Sequence, residues 1–342
     1  TIRSSHERNQ FFKEKNMATK DLVLEALQRS GENYLSGEAL SEELGISRTA
    51  VWKAIRILRD EGYTIKAVTN RGYHLIHEED VITEKSLREH LFTRYKNNRL
   101  YIYDTLDSTN NRAKQLALEN APHGTTVIAM QQTAGKGRLG RSFFSPREGI
   151  YLSIIIKPTF DLSKSVLVTA AAAVAVAQAI ESVCGRHAQI KWVNDVYLDG
   201  KKICGTLTEG ISDFETGHIE SLVIGIGVNT SVKDFPDELR DTVGAVDGDY
   251  SRSALAAEII SRMLNFAENI ESREFIQDYR KRSMVIGKNV TVYKGVYSVA
   301  PEKELEGMPA KVLGIDDDGG LEVIYTDGKR ETLTSGEISV RL

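Results

Sequence analysis

Apolar positions repeat at helical spacing almost from the start of the chain. Leu22, Val23, Ala26 and Leu27 share a face after Asp21, and Ser30-Gly31 closes the pattern. Ser36 is a good N-cap for a short second helix carrying Ala39, Leu40 and Leu44, which Gly45 ends. Ser47 caps a third helix whose Val51, Ile55 and Leu58 face inward, with Arg48, Lys53, Arg56 and Arg59 turned largely away. Two short runs, 64–68 and 73–76, flank Asn70-Arg71-Gly72 and predict a hairpin with a cation at its tip. Farther on, 126–130 reads as an apolar strand. Residues 167–180 form the most apolar stretch, but it is short and alanine-rich, which predicts a buried helix rather than a membrane span. After Tyr279 the period shortens to five strands, 290–293, 310–314, 321–325, 331–334 and 338–342, with turns at Asp318-Gly319 and Asp327-Gly328.

The first block is the pattern of a winged helix-turn-helix, whose third helix suits a DNA major groove and whose hairpin is the wing. Between Ser47 and His74 six cations (Arg48, Lys53, Arg56, Arg59, Lys66, Arg71) face only Asp60 and Glu61, an excess placed where phosphates would be met. Ser47, Arg48, Thr49, Lys53, Arg56 and Arg71 are the candidate DNA contacts. The plain alternative is a solvated helix face that docks proteins. Trp52, one step round the helix from Val51, suits the core better than a nucleic-acid contact.

The chain's 342 residues and 41% hydrophobic content suffice for two or three cores, and 27% charged residues with 6 prolines describe a globular protein. A net charge of -4 argues against wholesale nucleic-acid coating and leaves the basic patch local. Cys184 and Cys204 are too few for a disulfide framework and suit reduced thiols in a cytoplasmic protein. Residues 1–16 are polar, lack the apolar core of a secretory signal, and read as an extension ahead of Met17 that stays outside the fold.

Chemistry concentrates in the loop 131–141, QQTAGKGRLGR, which follows the strand 126–130. Its three glycines let backbone N–H groups approach an anion closely, and Lys136, Arg138 and Arg141 can neutralise phosphate or carboxylate charge. Residues 135–140 satisfy G-x-G-x-x-G, but Ser142-Phe143-Phe144-Ser145-Pro146 cannot open the helix that a dinucleotide fold requires. The sequence contains no P-loop, so any ATP site is built differently. Three further segments stand out: Asp107-Ser108-Thr109-Asn110-Asn111 ahead of a helix, Lys191-Trp192-Val193-Asn194-Asp195, and Lys201-Lys202-Ile203-Cys204-Gly205.

Together these segments resemble the signatures of the biotin protein ligases, specifically the bifunctional biotin operon repressors, in the family's order from Met17 to Leu342. The resemblance implies an α+β multidomain protein. A winged helix-turn-helix would span 17–80, a central α/β catalytic domain of the biotin/lipoate ligase type 81–285, and a small SH3-like β-barrel 286–342. It implies that Ser108, Thr109, Asn110 and Gln132 bind biotin, that Lys136, Gly137 and Arg138 close over biotin and the α-phosphate, and that Lys202 touches the reacting oxygens. Arg138, Arg141, Phe143, Asn194 and Asn229 would hold the adenylate, with Lys202, Arg138, Lys136 and Asp195 as the catalytic set. ATP, Mg²⁺ accompanying it with unassigned ligands, a biotin carboxyl carrier protein or other acceptor domain, operator DNA and a ligand-dependent homodimer complete the expectation. Biotinoyl-5'-AMP would serve as intermediate and corepressor, and no membrane is involved.

Two positions depart from the family pattern. Lys136 replaces an arginine, keeping the charge and losing the bidentate fork, and Val193 replaces a proline, which relaxes a backbone restriction. Taken alone, Ser108 could merely cap a helix and Asp195 could merely open a turn. Three rival functions remain at this level: a ligase without a repressor role, a biotin sensor without turnover, and a lipoate ligase.

Overall fold

The computed structural model describes residues 19–31, 33–60, 63, 65–68, 71–75, 81–160, 165–212, 219–230, 235–248, 250–294, 307–334 and 338–341. The expectations for residues 1–16, Met17, Glu61, Thr64, Asn70, Ile76 and Leu342 lie outside them. Contacts divide the chain into Thr1–Ile82 and Thr83–Leu342.

In the first unit, α1 (Thr19–Arg29), α2 (Gly37–Leu44) and α3 (Arg48–Asp60) precede an antiparallel pair, β1 (Ile65–Val68) and β2 (Gly72–Leu75). The expected caps form. Ser36 Oγ accepts from Ala39 N, Ser47 Oγ accepts from Ala50 N at 3.2 Å, and Gly45 ends α2 with a left-handed φ of 62°. Val23, Leu27, Leu40, Val51, Ile55, Leu58, Ile65 and Leu75 make one core, so the helical spacing sorted inside from outside correctly there. Gly72, at φ 108°, is required by crowding: a Cβ would sit 2.2 Å from Leu35 O, where Leu35 and Tyr73 pair backbones.

One side chain differs from expectation. Trp52 is 53% exposed and carries Arg56 over its ring at 6.0 Å. A 100° step from buried Val51 takes it off the core face, because the smaller Ala54 and Ile55 complete that face. Arg59 is exposed, as expected, while its Nε and Nη2 donate to Ile65 O at 3.0 and 2.5 Å, tying α3 to β1. Arg71 rests over the Tyr34 ring at 4.6 Å.

The second unit is built on a seven-stranded sheet ordered β3-β4-β5-β9-β8-β7-β6. The strands are β3 (Leu100–Leu106), β4 (Thr126–Gln132), β5 (Ile150–Ile156), β6 (Gln189–Lys191), β7 (Asp195–Leu198), β8 (Lys201–Ser212) and β9 (Ile219–Val228). Only β3 and β4 pair in parallel; the others are antiparallel. α4 (Glu84–His90), α5 (Thr109–Leu118), α6 (Ser165–Cys184), α7 (Arg252–Glu268) and α8 (Ile276–Arg282) surround it. α5 lays Ala113, Leu116 and Ala117 on Val127, Ile155 and Val223, and burying Leu116 alone contributes about 2 kcal/mol. Within α6, Val166–Cys184 is long and apolar enough to cross a membrane, yet 78% of that window is buried within the fold, as expected for 167–180.

The C-terminal strands β10 (Asn289–Lys294), β11 (Met308–Ile315), β12 (Leu321–Tyr325), β13 (Arg330–Leu333) and β14 (Ile338–Arg341) fall close to the predicted bounds. They form an antiparallel sheet ordered β13-β12-β11-β10-β14. Its β11–β12 turn docks beside the end of β6 and on α8: Trp192 Nε1 donates to Gly319 O at 2.9 Å, and Arg280 Nε to Ile315 O at 2.8 Å.

Candidate active site

Four chain segments converge on one cavity because the sheet brings their ends together. β3 delivers Ser108 to the start of α5; the β4–β5 loop supplies Lys136, Gly137, Arg138, Arg141 and Phe143; the turn after β6 and the first residue of β7 supply Asn194 and Asp195; β8 supplies Lys202. With Thr109, Asn110 and Gln132, these residues line a single cavity. Every sequence-predicted site residue of this unit reaches the wall except Asn229. That side chain is buried and its Nδ2 donates to Gly244 O at 3.1 Å, because β9 turns its Asn229 end toward the neighbouring loop.

The basic loop is a tight hairpin and opens no regular helix, in keeping with the rejected dinucleotide reading. Gly137 N donates to Arg141 O at 2.7 Å, Phe143 N to Gly135 O at 2.9 Å, and only one 3-10 turn, Arg138–Gly140, intervenes. Its cations sit differently. Lys136 is exposed and donates to Asn111 Oδ1 at 2.9 Å, while Asn111 Nδ2 donates to Asp107 Oδ2 at 2.5 Å. Arg138 is half-buried and reaches Asn194 Oδ1 at 3.3 Å. Burial pulls its guanidinium below the usual arginine range, with Asp195 opposing. The group remains charged, so a partly desolvated cation faces the cavity, where an anion is attracted more strongly than in water.

Opposite, Lys202 Nζ and Asp195 Oδ1 lie 2.6 Å apart. The pair is positioned by the bond from Asn194 Nδ2 to Thr206 O (2.7 Å) and by Tyr279 OH donating to Val193 O (2.9 Å). Burial pushes the Tyr279 hydroxyl far above its usual range, so it stays a donor. Val193 follows a cis peptide bond, where the sequence had suggested a relaxed backbone. Asp195 thus does more than open a turn. Cys204 is fully buried, and burial holds its thiol protonated.

The polar end of the cavity is a connected network. Ser108 occupies the N-cap of α5 but makes no cap hydrogen bond, which leaves its buried hydroxyl available to a ligand. Thr109 N donates to Gln132 Oε1 at 2.8 Å, and Gln132 Nε2 donates to Ser145 Oγ at 2.9 Å. Asn110 Nδ2 donates to Glu209 Oε2 at 2.8 Å, and its Oδ1 accepts from Ser153 Oγ at 2.6 Å. Ser153 and Glu209 escaped the sequence reading because they arrive on β5 and β8, and no local motif marks them.

The floor is glycine. Gly205 and Gly227 are cross-strand partners under the Phe143 ring, and a Cβ on Gly227 would come within 2.6 Å of Phe143 Cε1. Gly225 leaves room for Asn110, whose Oδ1 lies 2.2 Å from where a Cβ would stand. Thr206, Lys191, Trp192 and Ser142 also line the cavity.

A glycine-floored cavity with a basic hairpin on one side, an uncharged polar network at one end and a lysine opposite is built for a ligand with a neutral polar head and an anionic tail. Residues 102–229 match the biotin/lipoate A/B protein ligase family, 19–74 match an HTH domain, and 304–341 match the biotin protein ligase C terminal domain. The chain is 37% identical over 313 residues to the bifunctional ligase/repressor BirA of Bacillus subtilis, covering 90% of this chain and 94% of that one. With the Escherichia coli protein of that name it shares 29% identity over 328 residues, 94% of this chain and 98% of the other. The biotin protein ligase from Aquifex aeolicus in complex with biotin and ATP superposes with a TM-score of 0.59 at 26% identity, over 71% of this chain and 98% of that one. Fold and site therefore define a biotin protein ligase preceded by a helix-turn-helix domain. The chain belongs to the family of bifunctional ligase/repressors.

Proposed function

We propose that the cavity takes biotin and ATP, makes biotinoyl-5'-AMP, and passes the biotinyl group to a lysine of an acceptor domain such as a biotin carboxyl carrier protein. The convergence of Arg138 and Lys202 on a cavity ending in Ser108, Thr109, Asn110 and Gln132 carries this reading. The neutral amide and hydroxyl groups suit the ureido ring; the cations suit the carboxylate and α-phosphate. A carboxylate oxygen of biotin attacks the α-phosphorus and diphosphate leaves. The acceptor amine then attacks the acyl carbon, AMP departs, and the ammonium gives up its proton. Neither step uses an enzyme nucleophile, so the chain contributes position, charge and exclusion of water.

Arg138, Arg141, Phe143 and Asn194 would hold the adenylate, with Lys136 and Gly137 closing the loop. Asn229 supports the adjoining loop from behind. Among the described residues no group of three His, Cys, Asp or Glu side chains gathers to hold a metal. Mg²⁺ would thus ride mainly on phosphate oxygens and water, with Asp195 the nearby carboxylate. Biotin- and ATP-dependent labelling of an acceptor domain tests the ligase reading, and lipoate in place of biotin should not label. Gly227→Ala, which pushes the Phe143 ring off its seat, should weaken binding of biotinoyl-5'-AMP about tenfold by calorimetry and lower the melting temperature by only a few degrees.

The same reading makes the first unit the operator-binding part of a cytoplasmic, ligand-dependent homodimer, the bound adenylate acting as corepressor. Ser47, Arg48, Thr49, Lys53, Arg56 and Arg71 would meet DNA, and exposed Trp52 joins them on the same helix. Lys53→Ala should lower the slope of log affinity against log salt by about one without altering sequence preference. An unchanged slope in a fluorescence titration would remove Lys53 from the interface.

A further inference from the structure

Glu209 belongs to no motif and lies outside the cavity wall, yet it holds a wall residue in one orientation. A carboxylate can only accept, so the Asn110 atom facing it must be the amide nitrogen. The bond, Nδ2 to Oε2, is 2.8 Å. From the other side, the Ser153 hydroxyl donates to Asn110 Oδ1 at 2.6 Å. Ser153 and Asn110 are both buried, and Asn110 Oδ1 sits where a Cβ on Gly225 would stand. Lys114 Nζ, at 2.8 Å from Glu209 Oε1, occupies the second carboxylate oxygen and keeps the group turned. Burial alone would raise the Glu209 pKa, but the bonds from Lys114 and Asn110 hold it below the usual carboxylate range, so the acceptor persists at neutral pH. One N–H of Asn110 is used by Glu209; the second has no other partner among the described residues, and Asn110 lines the cavity.

We propose that Glu209 is a positioning residue for substrate selection: it fixes the Asn110 amide with an N–H donor toward the cavity, so the site takes a ligand that presents a carbonyl-type acceptor there. The inference rests on the biotin reading, in which that acceptor is the ureido oxygen. Glu209→Gln is the informative change. Lys114 demands an oxygen from residue 209, which leaves the glutamine amide N–H₂ facing Asn110. The Asn110 amide must then flip and offer its oxygen to the cavity. The probe pair is biotin and 2-iminobiotin, whose ureido oxygen is replaced by an N–H donor.

In acceptor-labelling assays with the full chain, Glu209→Gln should raise the KM for biotin about tenfold and leave kcat within twofold. It should also narrow the preference for biotin over 2-iminobiotin at least tenfold. The double change Glu209→Gln with Lys114→Met frees the glutamine oxygen for Asn110 and should restore the biotin KM to within about threefold of wild type. Ser153→Ala, a small deletion that leaves Glu209 untouched, is the second variant; it should also narrow the preference, by about threefold. An unchanged biotin KM in Glu209→Gln, an equal loss toward both probes, or no rescue in the double variant would overturn the proposal. If the wild-type chain transfers no biotin at all, the functional reading fails first, and the positioning role fails with it.

Discussion

Lys202→Ala is expected to lower the rate of adenylate formation about 10²–10³-fold, the magnitude for removing one preorganised charge from a developing anionic centre. Two effects add. On the proposed reading the substitution would delete the cation beside the reacting oxygens, and it leaves Asp195, now paired at 2.6 Å with Lys202 Nζ, as an uncompensated anion where a carboxylate and a triphosphate would bind. Asp195→Ala removes the pair's other half without that repulsion and should cost less. Biotin-dependent exchange of labelled diphosphate into ATP measures both. A Lys202→Ala enzyme that exchanges at more than a tenth of the wild-type rate would refute the assigned role. Melting temperatures serve as the folding control, since both side chains are only partly buried.

The largest stability effect is expected at Arg282, away from the cavity. Its side chain is 5% exposed, and it donates to Asp278 Oδ2 at 2.8 Å, to Glu181, and to Ala188 O at 3.3 Å. Arg282→Ala leaves half-buried Asp278 with only Gln178 as a partner and empties a buried site, and should destabilise the unit by about 3 kcal/mol in urea unfolding, the low end for breaking a buried pair. The pH dependence has a definite sign. Burial opposes ionisation of Asp278, but its bonds from Arg282 and Gln178 prevail and hold its pKa below the ordinary carboxylate value; the Arg282 bond does the same for Glu181. Their stabilisation is therefore complete above the unfolded carboxylate range and disappears as pH falls below it through the depressed folded values. Wild-type stability should drop on acidification below about pH 4, and the Arg282→Ala protein should show a shallower drop there. Parallel curves for the two proteins would count against the cluster.

Local signals explain why so much was legible in advance. Ser36, Ser47 and Gly45 are caps whose effect is confined to one turn, and they formed as read. The basic hairpin was legible because three cations among three glycines make poor sense except around an anion. Missed residues share a different origin. Ser153 and Glu209 meet Asn110 only through the register of β5, β9 and β8, and the Arg282 cluster joins α6 to α8, some hundred residues apart in sequence. Trp52 was misjudged because a residue flanking a buried one can fall to either side of a helix, and neighbouring side-chain volumes decide which. Asn229, expected near the adenylate from motif order, follows β9 and donates to Gly244 O instead of lining the cavity.

These parts lead to one decisive measurement. The intact protein is mixed with biotin, Mg²⁺ and ATP labelled at the α-phosphate, without any acceptor, passed over a sizing column and analysed by mass spectrometry; acceptor domain is then added to the protein peak. The account predicts that biotinoyl-5'-AMP co-elutes with the protein and that adding acceptor converts it to AMP and biotinylated acceptor. Biotin eluting with the protein but never adenylated, whatever the ATP concentration, would contradict the account and leave a DNA-binding biotin sensor in its place.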